Sequence, residues 1–326
     1  CSVRSAKKCL GNSCGILTNL KNYRHDINKC KDSSMNYKIG EIKASDLDNK
    51  SLLIMPKLKL RGKNSIKPDL AWVLGLYIAE GHYDILNRHH RVTFYLSEKE
   101  TSIAEKISKI IKKHFNINNQ KPYIRNGSMA LSFESKKLVE IVMPFGNSAS
   151  EKTIPFDFII NSNNLIIKNI LRGYFEGDGH VLNSKKDMTV LATTVSESLA
   201  NQIRLALSSI SIMSCIYKSK KRESQINGRK IYYKHDPFII RISPSLNAEK
   251  LFPKKFKKTR KHPVYIYEKD DFFAVPIKEI KNIDYDGYVY NLEVEKDHSY
   301  LANGLAVKNC TYGEYARQIE ELGICT

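Results

Sequence analysis

The chain has 326 residues, 42% of them hydrophobic and 27% charged, which is ordinary for a globular protein and enough for two domains. Its 53 Lys+Arg against 34 Asp+Glu leave a net charge of +19, which favours a polyanion through phosphate contacts and counterion release. No apolar run reaches the ~18 residues of a membrane span, and the opening CSVRSAKKCLGNSCG lacks the apolar stretch of a secretory signal. The expectation is therefore an intracellular protein, neither secreted nor membrane-bound, with nucleic acid as its partner.

Four of the seven cysteines (Cys1, Cys9, Cys14 and Cys30) crowd into the first thirty residues. No C-x-x-C knuckle is among them, so reduced thiols are expected there rather than zinc or a disulfide framework. A first residue that is Cys and not Met fits a segment of a longer product.

From Val73 to Ala79 the residues are apolar or small, in too long a run for a short strand, and read as helix. The run ends in Glu80-Gly81-His82. A strand-like segment, Arg91 to Leu96, follows. Ser97-x-x-Glu100 then reads as a capping box opening a helix with Ile103, Ile107, Ile110 and Ile111 on one face. The same order returns later. Leu171 to Gly177 reads as helix and ends in Asp178-Gly179-His180; Met188 to Thr194 reads as strand. Thr194-x-x-Glu197 then opens a helix carrying Leu199, Ile203, Ala206 and Ile210. A duplicated α/β unit is the simplest reading. Gly75 with Ala79, and Gly173 with Gly177, put small residues four apart on one face of each helix, so the two helices can touch closely. Packed that way, they would set Glu80 and Asp178 side by side.

Two carboxylates forced together repel unless a cation sits between them, and the negative ends of two helix dipoles add to the repulsion. A divalent metal, Mg²⁺ or Mn²⁺, relieves both. It can also activate water and stabilise a leaving oxygen in phosphodiester hydrolysis. A basic, duplicated chain with paired acids thus points to a nuclease. The stretches LGLYIAEGH and LRGYFEGDGH resemble the two dodecapeptide motifs of the LAGLIDADG homing endonucleases, and Lys-x-Ile-Pro (Lys152 to Pro155) before the second motif extends the likeness. The resemblance implies a duplicated αββαββα core acting on a long asymmetric double-stranded DNA site, with Glu80 and Asp178 as metal ligands. It also implies active-site lysines at Lys152 and, from FPKKFKKTRK, Lys255. DNA would be read by sheets. The candidate ribbon flanks Asn227-Gly228, a hairpin turn signal, and carries Lys218, Lys220, Lys221, Arg222, Gln225, Arg229 and Lys230.

Towards the end, VYNLEVEKDHSYLANGLAVKNC (Val289 to Cys310) begins as an alternating strand and finishes in Asn309-Cys310. An Asn amide can cyclise onto its own carbonyl and cut the chain after itself, and a following thiol can take over an acyl group. The stretch resembles the C-terminal splicing blocks of inteins, and KIGEIKASDLDNKSLLIMP resembles the segment by which they lead into an endonuclease. That resemblance implies Asn309 as the cyclising residue, Cys310 as the first residue of the host segment and His298 as a proton-transfer group. It also implies an upstream thiol, for which Cys1 and Cys9 are both candidates. Lys308 stands where the family usually has His.

The expected organisation is an α/β endonuclease core, residues 63–265, inserted into a mostly β Hint-type splicing domain made of residues 1–62 and 266–309. Residues 310–326 would be host protein (the extein) in cis. Since one chain supplies both half-sites, a monomer is expected. Two readings stay open beside a splicing endonuclease: an endonuclease whose splicing part is inactive, and a non-catalytic nucleic-acid binder of maturase or regulator type.

Overall fold

The computed structural model describes residues 2–8, 37–43, 46–48, 51–86, 89–183, 188–220, 223–226, 229–232, 236–242, 246–252, 267–277, 279–281, 286, 292, 294–295, 299–302 and 304–308. The chain divides into two compact units, Leu58–Arg260 and a second made from both chain ends, Cys1–Lys57 with Lys261–Thr326. The first strands, β1 (Ser2–Lys8), β2 (Tyr37–Lys43) and β3 (Leu52–Pro56), belong to the outer unit.

The inner unit repeats one order of elements. Its first half runs α1 (Pro68–Glu80), β4 (Gly81–Leu86), β5 (His89–Ser97), α2 (Thr101–Phe115), β6 (Tyr123–Arg125), β7 (Ser128–Glu134) and α3 (Lys136–Val142). A short helix, α4 (Phe156–Asn161), precedes the second half. That half runs α5 (Asn164–Gly177), β8 (Gly179–Asn183), β9 (Met188–Thr194), α6 (Glu197–Ser209), β10 (Ser214–Lys218), a ribbon of β11 (Glu223–Ile226) and β12 (Arg229–Tyr232), β13 (Phe238–Ile242) and α7 (Leu246–Leu251). Without the ribbon, each half is αββαββα. The sheets correspond strand for strand, β4-β5-β7-β6 and β8-β9-β13-β10, all antiparallel. The duplication expected from the sequence is thus present in the fold.

One hairpin differs between the halves. In the first, Asn126 (φ 52°) and Gly127 (φ 80°) close β6 onto β7 in two residues, the positive-φ pair that a tight hairpin needs. In the second, the equivalent connection is opened out to hold β11 and β12.

Alternation sets the faces. Val92, Phe94 and Leu96 on β5 and Met129, Leu131 and Phe133 on β7 are buried in one core with Ile107 and Ile111 of α2 and Leu138 and Val142 of α3. Helices cover that face of the sheet; the other face carries Arg91, Thr93, Tyr95, Ser132 and Glu134.

Several boundaries differ from the sequence reading. α1 begins at Pro68, five residues before the apolar run, because Pro suits the first helical turn. α5 starts at Asn164, capped by the Asn163 side chain. The cap of α6 is Ser196, whose hydroxyl accepts from the Leu199 amide at 3.1 Å; Thr194 is still strand. At α2 only half of the expected box forms: the Glu100 carboxylate accepts from the Ser97 amide at 2.8 Å, and the helix opens at Thr101.

The outer unit closes with β14 (Tyr267–Glu268), β15 (Phe272–Pro276), β16 (Ser299–Ala302) and β17 (Leu305–Lys308). They join the opening strands in one seven-stranded sheet, β14-β15-β3-β1-β17-β16 with β2 also on β1. Leu52, Ile54, Ala274 and Ala306 form its small core. The register of β1 on β17 reaches Ser2↔Lys308, one residue short of Cys1 and of Asn309 in sequence.

Candidate active site

α1 and α5 pack face to face at the centre of the inner unit. Every residue of α1 from Leu70 to Ile78 is buried, the signature of a helix enclosed on all sides. The approach is close because glycines line the seam. A Cβ on Gly75 would run into the Ile170 carbonyl oxygen, and one on Gly173 into that of Trp72. A Cβ on Gly177 would stand 2.6 Å from the Ala79 Cβ and 3.1 Å from the Glu80 Cγ. The pairing expected of Gly75, Ala79, Gly173 and Gly177 is what holds the helices. The Trp72 indole adds a cross-tie, donating to the Glu176 carboxylate at 2.8 Å.

Glu80 is the last residue of α1, and Asp178 is the C-cap of α5, its amide donating to the Tyr174 carbonyl at 2.9 Å. The Glu80 carboxylate lies over Gly177, the residue before Asp178, with Oε1 3.4 Å from the place a Cβ would occupy. The structure therefore brings the two acids together. Burial and then Glu80 push the Asp178 carboxyl up to about 7, with Tyr174 and Lys152 pulling the other way. Glu80 is also raised, by burial and then by Glu100. The repulsion between the pair is thus expressed at Asp178, the more enclosed of the two. Against it lies the Tyr174 hydroxyl, buried and raised well above its ordinary range by burial and then by the carboxylate; no hydrogen bond of good geometry closes between them.

Lys152 is 5% exposed, and its ammonium donates to the carbonyls of Tyr77 at 2.9 Å and Gly81 at 2.8 Å, straddling the end of α1 beside Glu80. It also sits 3.7 Å over the Tyr77 ring. Burial lowers it to about 7, and only the neighbouring Asp178 charge holds it that high. Its segment is locked in place. Thr153 and Ile154 both donate to the Gln202 side chain at 2.8 Å, and the Ser196 hydroxyl donates to the Lys152 carbonyl at 2.8 Å. Asn147 pairs both its amide oxygen and nitrogen with the backbone of Tyr83, standing in as a strand neighbour for β4. Sequence reading missed Asn147, Gln202 and Tyr174. Their partners lie 64, 48 and 4 residues away, and only the last spacing could have been read from a helix.

Of the expected DNA contacts, Lys218 and Lys220 are exposed, Lys218 standing 5.6 Å over the Phe238 ring. Gln225, Arg229 and Lys230 belong to the β11–β12 ribbon, which pairs through Ile226↔Arg229 around the expected turn. The side chains of those three fall outside the described residues, as do Lys221, Arg222, Lys255, His298, Asn309, Cys310, Cys1 and Cys9, and with them the expected state of the N-terminal thiols.

Residues 166–254, from α5 to just beyond α7, match the family model described as LAGLIDADG-like domain. The match lies in the second half of the inner unit, and the first half repeats its order of elements. Three curated relatives each match about three quarters or more of the chain. An ATP-dependent DNA helicase Hel308 of Thermococcus kodakarensis is 30% identical over 250 residues, 74% of this chain and 21% of the helicase. A DNA polymerase of Thermococcus hydrothermalis is 29% identical over 83% of this chain and 17% of the polymerase. A ribonucleoside-diphosphate reductase NrdEB subunit alpha of Bacillus subtilis is 26% identical over 75% of this chain and 25% of the subunit. The chain spans a quarter or less of each. Among solved structures, I-DmoI in complex with DNA and Mn is 13% identical over 59% of this chain and 98% of that one, with a TM-score of 0.41. The N-terminal LAGLIDADG domain of DUF199/WhiA is 14% identical over 60% and 86%, with a TM-score of 0.37. Among the described residues, no helix is long and apolar enough to cross a membrane.

Proposed function

We propose that the chain is an intein-borne homing endonuclease, cutting both strands of a long asymmetric DNA site within a cell. The meeting of Glu80 and Asp178 on the seam of two glycine-packed helices carries the nuclease reading. Two hard oxygen donors, each held back from ionising by burial and a nearby acid, fit a divalent cation, Mg²⁺ or Mn²⁺. Among the described residues no cluster of three or more His, Cys, Asp or Glu side chains adds further ligands, which would leave the remaining positions to water and phosphate. Such a cation supplies an acidified water and charge neutralisation at the leaving oxygen. Lys152 fixes the Glu80–Gly81 turn through its two carbonyl bonds and lends positive charge beside the acids, with Lys255 as its proposed counterpart. The basic ribbon from Lys218 to Lys230 would hold the duplex, and a single copy would suffice because each half presents one sheet.

The splicing half of the proposal rests on two observations. The register Ser2↔Lys308 draws the segment next to Cys1 towards the one that leads into Asn309 and Cys310, which favours passing an acyl group from the upstream thiol to the Cys310 thiol. A segment like this chain recurs in a helicase, a polymerase and a reductase, which share no reaction, so it behaves as an insert and not as part of any one activity. On this reading Cys1 is the upstream thiol, Asn309 cyclises, Cys310 opens the downstream host segment and His298 moves the proton.

The test is the intact mass of the purified chain with and without a thiol reductant, beside Asn309→Ala. Release of the 17 residues Cys310–Thr326 from the wild type alone supports the cyclisation. An unchanged wild-type mass defeats the splicing half and leaves the nuclease half standing.

A further inference from the structure

On the helix-free face of the first sheet, the register aligns Asp84 of β4, Arg91 of β5 and Glu134 of β7 in one row across three strands. Arg91 is flanked on both sides by acids. Its Nε lies 3.9 Å from the Glu134 carboxylate and is buried with no hydrogen-bond partner, while the side chain as a whole is 40% exposed. Glu134 is otherwise engaged, accepting from Gln120 at 3.0 Å with His89 at 3.8 Å; Asp84 is met by His82 at 3.0 Å. The row is therefore a guanidinium aimed outward, fenced by carboxylates that are themselves held.

We propose that Arg91 reads a guanine in the major groove of the target DNA, about four base pairs from the bond to be cut, with Glu134 as its positioning residue. This rests on the nuclease reading. β4 starts at the residue after Glu80, so a duplex whose phosphodiester reaches the paired acids must run alongside β4 and its sheet. Of the two faces of that sheet, helices cover one, which leaves the row on the face open to the duplex. Asp84 is four residues beyond Glu80, about 13 Å along an extended strand, and at ~3.4 Å per base pair that is about four pairs.

The fencing acids decide which part of the DNA Arg91 meets. With two carboxylates beside one guanidinium, the row of Asp84, Arg91 and Glu134 carries more negative than positive charge, and a phosphate would be repelled. The N7 and O6 edge of guanine is an uncharged pair of acceptors, matched by the arginine fork and spared that repulsion.

Binding selection from a randomised duplex library in EDTA reads this without requiring cleavage; the selected duplexes are then cut with Mg²⁺ to place the bond. The wild type should enrich one guanine about four pairs from the cut. Arg91→Ala should lose that single preference, roughly 5- to 150-fold, and keep the rest of the site. Arg91→Lys, which retains charge without the fork, should lose most of it too. Glu134→Gln should weaken the same column less than Arg91→Ala does. A guanine preference that survives Arg91→Ala overturns the proposal. So does a loss of binding spread evenly over all sequences, the mark of a phosphate contact, or a wild type that selects no sequence. A wild type that selects a site yet never cuts it defeats the nuclease reading instead, and leaves the Arg91 assignment standing on the selected guanine.

Discussion

Asp178→Asn will give a protein that melts higher than wild type in EDTA at pH 8 and cleaves DNA roughly a thousandfold more slowly or worse. The Asp178 carboxyl is pushed up from 3.8 to about 7 by burial and by Glu80, so the folded state prefers it protonated. Below pH ~4 it is neutral whether folded or not and costs nothing. As pH rises from ~4 to ~7 the unfolded chain loses this proton while the folded one keeps it, and stability falls; above ~7 the whole penalty applies, up to about 4 kcal/mol. Asparagine has the same shape and no charge to desolvate. Even half of that figure would raise the melting temperature by ~4 °C or more in a unit of this size. The wild type should recover the difference on adding Mn²⁺. Because metal competes with the Asp178 proton, its stabilising effect should be larger at pH 8 than at pH 6 and absent from Asp178→Asn. Calorimetry at the two pH values, with plasmid cleavage run beside it, checks all three outcomes. A variant that melts lower in EDTA, or that still cuts, would remove Asp178 from its assigned place.

Gly173→Ala should be severely damaging for a single added methyl. The added carbon would collide with the Trp72 carbonyl and crowd the Leu76 amide, backbone on backbone, and neither can rotate away. Separating α1 from α5 is the only relief, and it opens the centre of the core that Leu74, Tyr77, Ile170 and Tyr174 share. A loss above ~3 kcal/mol is expected, against the 1–3 typical of ordinary overpacking. Gly75→Ala should match it, since its carbon would meet the Ile170 carbonyl. Gly177→Ala is the informative contrast: it meets side-chain atoms of Ala79 and Glu80, so it should cost less stability and more activity by displacing the carboxylate. Urea titration followed by circular dichroism ranks the three. Equal stabilities for Gly173→Ala and wild type would mean the helices do not meet as described.

The helix pair was readable because its cause is local. Small residues four apart and an acid at the end of an apolar run are visible in ten letters, and β9 came out with its observed bounds, Met188–Thr194. Helix starts were harder, since several residues can cap. Thr194 and Ser196 are both capable, and the strand claims Thr194 first because β9 pairs through it with Phe238. The contacts around the acids were not readable from spacing. Lys152, expected near them from the family resemblance alone, reaches Tyr77 and Gly81 across 75 and 71 residues, and the row through Arg91 exists only once the strand register is known.

Val3 finds its partner Val307 across 304 residues of chain, while the inner unit is complete by Arg260. On a ribosome adding about 5–20 residues per second, β1 therefore waits on the order of 15–60 s for β17. During that interval the inner unit can fold alone. Any peptide-bond chemistry that needs the two ends together cannot begin until synthesis has passed Lys308, so the topology itself acts as a clock that sets folding of the inner unit before the closing of the terminal sheet.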